Sequence, residues 1–76
     1  MNKNRRKLLD SAREYLSKAA KIIEIASEQE SDCLDNLPES LYGSERYEKM
    51  ESAIEFLEEA LEHAENARDC VAEAAL

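Results

Sequence analysis

The only proline and the only glycine in the chain, Pro38 and Gly43, stand five residues apart near the middle of its 76 residues. Proline removes a backbone donor and clashes with the preceding turn, and glycine loosens the backbone, so both punctuate helices. On either side runs a stretch of more than 30 residues with neither. Such a chain has one natural place to turn and two long segments to join.

Those segments carry helical rather than strand periodicity. Over residues 4–34 the apolar residues form three rows spaced by seven: Leu8, Tyr15, Ile22; Ala12, Ala19, Ala26; and Leu9, Leu16, Ile23. Seven residues is nearly two helical turns, so each row runs along one helix and the three lie side by side. Over residues 44–75 Met50, Leu57, Ala64 and Val71 make the central row. Ile54 and Leu61 flank it on one side, and Ala53, Ala60, Ala67 and Ala74 on the other. Each segment is about 45 Å of helix at about 1.5 Å per residue. The expected fold is all-α, one antiparallel two-helix hairpin forming a single domain over residues 1–76, with its corner at 35–43. The alanine rows are expected to face the other helix, where small side chains permit close approach.

The corner reads "DNLPESLYGSERYEKME" from Asp35 to Glu51. Asn36 suits a left-handed helix end, Pro38 forbids continuation, and "PESL" suits a short helical turn. Gly43 allows positive φ just before the second helix. Ser44 is the expected N-cap, with Glu45 and Glu48 placed where the dipole favours anions; Tyr47 at the third position leaves the capping box incomplete. Leu37, Leu41, Tyr42 and Tyr47 would plug the closed end. With Pro38 and Gly43 they are also the candidate residues for a partner-binding corner, since binding loops sit on rigid scaffolds.

Charge supports the same folding back. The total is −8, yet residues 1–21 carry seven Lys or Arg against Asp10 and Glu14, a balance of +5, which leaves −13 for the remainder. Antiparallel packing sets the basic arm beside the acidic residues of 57–76, and cross-pairing between the helices is expected to fix their register.

Three rows are too wide for one neighbouring helix, and a domain this small needs a further staple. Self-association is the expected one, a dimeric four-helix bundle being the smallest symmetric solution. Phe56, His63 and Cys70 form an extra seam beside the second alanine row, so the candidate oligomer seam is Ala53, Phe56, Ala60, His63, Ala67 and Cys70.

Little in the chain suggests catalysis. Cys33 belongs to the corner and Cys70 to the open end, so an intrachain disulfide is excluded by length and both are expected as free thiols. His63 has Ala60 three residues before it, which breaks the Glu-x-x-His pattern of bundle metal sites; Glu59 is a surface partner for it. No Ser/His/Asp or Cys/His set can be assembled, and one glycine cannot build a phosphate loop. We therefore expect no enzyme, no metal and no cofactor. The "KNRRK" run at 3–7 is balanced by acidic residues within the chain, so nucleic acid is not an expected partner. No segment is long and apolar enough for a membrane span, and the N-terminus lacks a signal-peptide core, so a cytoplasmic protein is expected.

The stretch from Asp35 to Ala60, "DNLPESLYGSERYEKMESAIEFLEEA", resembles a recurrent set of small uncharacterised helical proteins encoded by bacteriophages and integrated mobile elements, especially of Firmicutes. In these an "NLPESL" corner, a "SER" helix start and an "EKME" continuation lead into an Ala/Glu-rich helix, after a basic first helix. The resemblance covers most of the chain and implies a phage or bacterial origin without an agreed function. Small phage proteins often bind and inhibit host factors, which makes a host protein a candidate partner. The expected function is that of a non-enzymatic interaction protein that self-associates through its helix faces. The alternative is an acidic inhibitor that mimics nucleic acid or blocks a host defence or nucleic-acid enzyme.

Overall fold

The computed structural model describes residues 1–76 and is an all-α helical hairpin. Helix α1 spans Lys3–Asp35, a single 3-10 turn spans Glu39–Leu41, and α2 spans Glu45–Ala74. The two helices pack antiparallel into a rod whose Cα extents are 59 × 14 × 13 Å.

Each helix begins at a capped residue. Asn2 Oδ1 accepts from the Arg5 N–H at 2.8 Å, and Ser44 Oγ accepts from the Tyr47 N–H at 3.2 Å. These caps satisfy donors that the first helical turn leaves free. Glu45 and Glu48 lie in the first turn of α2, as its dipole favours, whereas the first turn of α1 has no acid and the last turn of neither helix has a base.

The corner turns by a different device from the one its sequence suggests. Asn36 is not left-handed: its φ and ψ are −94° and 2°, and its side-chain amide donates back to the Asp32 carbonyl at 2.8 Å. The Leu37 N–H then bonds to the Leu34 carbonyl, tightening the last turn. Positive φ is not needed there, because the reversal is completed at Gly43, with φ 79°, the only positive φ in the chain. Leu37, Leu41 and Tyr47 are half-buried at the closed end, and the Tyr42 and Tyr47 rings lie tilted at 5.2 Å.

The seam between the helices follows alternating steps of three and four residues. On α1 it is centred on Leu9, Leu16, Ala20, Ile23, Ser27 and Leu34, and on α2 on Met50, Ile54, Leu57, Leu61, Ala64 and Val71. Ala20, 5% exposed, is the only buried residue. The alanine rows therefore do not form the close-contact face. Ala12, Ala53 and Ala60 are half-buried at the seam's edge, while Ala19, Ala26, Ala67 and Ala74 are exposed. A row one position off the contact line is only partly covered by a single neighbour.

Direct ion pairs across the hairpin are also absent, contrary to the expectation from charge. Every salt bridge joins residues of one helix, such as Lys18 to Glu14 at 3.6 Å and Lys49 to Glu45 at 3.1 Å. Exposed long side chains order more cheaply against a neighbour one turn away than across a groove. The one side-chain hydrogen bond between the arms is from Arg6 Nη1 to the Ala75 carbonyl at 2.9 Å. It sets a guanidinium on the negative end of the α2 dipole.

Candidate interaction surface

With the seam located, the remaining apolar rows have a defined direction. On α1 the row Leu8, Tyr15, Ile22 lies roughly a quarter turn to one side of the seam, counted at about 100° per residue. On α2 the row Phe56, His63, Cys70 is displaced from its own seam by a similar angle in the same rotational sense. Two antiparallel helices are related by a twofold axis perpendicular to their common plane, so equal displacements fall on the same broad side of the pair. The two rows therefore share one face of the rod.

That face is uncovered. Leu8, Tyr15, Ile22 and Phe56 are 70%, 71%, 67% and 69% exposed. Ala19 and Ala26 lie among the bulky residues of α1, and Ala67 lies between His63 and Cys70 on α2, all exposed. Between Ala12 and Ala26 on one helix and Ala53 and Cys70 on the other, helical phase puts no Asp, Glu, Lys or Arg at the centre of this side; Lys18 borders it, with its Nζ 6.0 Å from the centroid of the Tyr15 ring. The opposite broad side has Glu51, Glu58, Glu62 and Asp69 on α2, all exposed. An apolar strip of this kind binds another apolar surface when one is offered.

The candidate seam residues divide accordingly. Phe56, His63, Ala67 and Cys70 lie on the open face, whereas Ala53 and Ala60 sit on its border and are half-buried. His63 Nε2 is 3.5 Å from a Glu59 carboxylate oxygen, and Cys33 and Cys70 are free and exposed. Of the corner candidates, Pro38, Tyr42 and Gly43 are exposed; Leu37, Leu41 and Tyr47 are half-buried and plug the end of the hairpin. Sequence reading missed that Leu8, Tyr15 and Ile22 join this surface. The signal was present in their constant offset from Leu9, Leu16 and Ile23.

The surface has no enclosed pocket, and no three His, Cys, Asp or Glu side chains converge as metal ligands. No helix is long and apolar enough to cross a membrane. No protein-family model matches the chain, and no curated protein or solved structure is detectably similar to it.

Proposed function

We propose that the chain is a non-enzymatic interaction protein of phage or mobile-element origin that works as a self-associated helical bundle. The observation that carries this reading is the apolar side bearing Leu8, Tyr15, Ile22 and Phe56, each about two-thirds or more exposed. The size of the free surface supports it. A compact monomer of 8.7 kDa has about 4,700 Å² of accessible surface by the usual scaling, and this hairpin has 5790 Å². The excess, on the order of 1,000 Å², is comparable to the roughly 800 Å² that each partner buries in a standard interface.

Light scattering coupled to size exclusion tests the reading. The wild-type chain is expected to run as a dimer or higher oligomer, and Tyr15→Glu together with Phe56→Glu to shift it toward monomer, because a charge buried without a partner is costly. A stable wild-type monomer at micromolar concentration would overturn it. The second reading, an acidic inhibitor of a nucleic-acid or host-defence enzyme, draws on the exposed carboxylates of the opposite side, which self-association leaves free. Co-purification of a basic nucleic-acid enzyme, lost on Glu58→Gln with Glu62→Gln, would favour it.

A further inference from the structure

We infer that the second copy lies with its corner at the opposite end of the rod, so that α1 of one copy runs antiparallel along α1 of the other. This orientation rests on the self-association proposed above and adds which way round the partner sits.

A twofold axis can lay this side against itself in two ways: parallel to the helices, with both corners together, or across them, with the corners apart. Shape allows both. With the corners apart and the axis crossing α1 next to Ala20, Leu8 falls opposite Cys33 of the second copy, Tyr15 opposite its Ala26, and Ile22 opposite its Ala19. The matching α2 register puts Phe56 opposite Ala67 of the second copy, and the two registers share a centre to within about one residue, 1.5 Å of rise. With the corners together, Tyr15 meets Ala67 and Ile22 meets Ala60. Bulky residues meet small ones in either case.

Charge decides between them. The corner half of the hairpin, residues 22–58, has eleven acids against Arg46 and Lys49, a net −9; the open half, residues 1–21 and 59–76, has eight bases against seven acids, a net +1. Corners together would set −9 beside −9. Corners apart set −9 beside +1 at both ends. Along α1 the match is closer, because residues 1–21 at +5 lie against residues 22–35 of the second copy, which carry five acids and no base, and this outweighs the like charges along α2, where residues 44–58 at −3 lie against residues 59–76 at −4. The groups flank a strip at most a helix diameter wide, about 10 Å, which is near the screening length at physiological salt. Like charges placed side by side at that range select against the corners-together dimer.

The cysteines supply the test. In a Cys70→Ala background, Cys33 is the only thiol and the two copies of it stand about 38 Å apart with corners apart, but within roughly 15 Å with corners together. Adding Leu8→Cys places the new thiol level with Cys33 of the second copy only in the corners-apart dimer; within one chain the two positions are about 37 Å apart along α1. Mild oxidation is therefore expected to give a disulfide-linked dimer with Leu8→Cys, mapped by mass spectrometry to positions 8 and 33, and none from Cys70→Ala alone. A Cys33 to Cys33 cross-link in the Cys70→Ala protein with a short bismaleimide, which can bridge the corners-together separation but not the corners-apart one, would overturn the orientation while leaving self-association standing. Should Leu8→Cys loosen the dimer, spin labels on Cys33 in the Cys70→Ala protein read the same geometry, with a separation of about 38 Å expected and one below about 20 Å contradicting it. A monomer by light scattering at labelling concentration would overturn both this inference and the reading beneath it.

Discussion

At Gly43 the backbone has φ +79°, and no heavy atom lies within 4 Å of where a Cβ would stand. The demand on this position is conformational and not steric, so residues should rank by their tolerance of left-handed backbone. Gly43→Val is expected to lower unfolding free energy by about 1 kcal/mol or more, and Gly43→Asn by clearly less. Urea midpoints at fixed protein concentration check this; equal midpoints for the two variants would show that φ at this position does not set the cost. Ser44, whose hydroxyl accepts from the Tyr47 N–H, makes a separate contribution. Ser44→Ala should cost about 1 kcal/mol, with Ser44→Asp retaining the cap.

Among the elements, the contact between α1 and α2 depends on where its small residues lie. Ala20 is buried on the seam, while its neighbour Ala19 is exposed on the open face. Ala20→Leu should therefore cost about 1 to 3 kcal/mol through overpacking, read from denaturant midpoints, whereas Ala19→Leu, which adds bulk only on the open face opposite Ile22 of the second copy, should act on the oligomeric state, read by light scattering. The helices and their junction were legible in the sequence because breakers, caps and periodicity act within a few residues. Pro38, Gly43 and Ser44 act through their own backbone or the adjoining turn, and each does in the structure what its chemistry suggests. Which of three parallel rows faces inward is a different kind of question. Leu8 and Leu9 are equally apolar, and only the packing of α2 shows that Leu9 is covered and Leu8 is not. Asn36 misled for a related reason: its aptitude for left-handed backbone is real, but a glycine seven residues later took over that task.

For the whole molecule, a single buried residue is a slender core, and assembly would then be part of what keeps the chain folded. If folding and association are coupled, the melting temperature rises with protein concentration. With about 0.7 kcal/mol of unfolding enthalpy per residue over two copies, a tenfold increase should raise it by about 5 °C. Differential scanning calorimetry across two decades of concentration measures this directly, and an invariant midpoint would mean that the hairpin stands alone.

The single reversal at the corner also dictates an order of events. Contacts near the corner close short loops, whereas the hydrogen bond from Arg6 to Ala75 joins residues 69 apart in sequence. Loop-closure entropy grows as the logarithm of that separation, so joining the open end directly costs about 1.7 kcal/mol more than closing a ten-residue loop. The helices should therefore zip from Pro38 and Gly43 outward, and unzip in reverse. Amide exchange on the seam would then grow faster from Leu34 and Met50 toward Leu9 and Val71, so that the end carrying both termini opens many times for each opening of the corner.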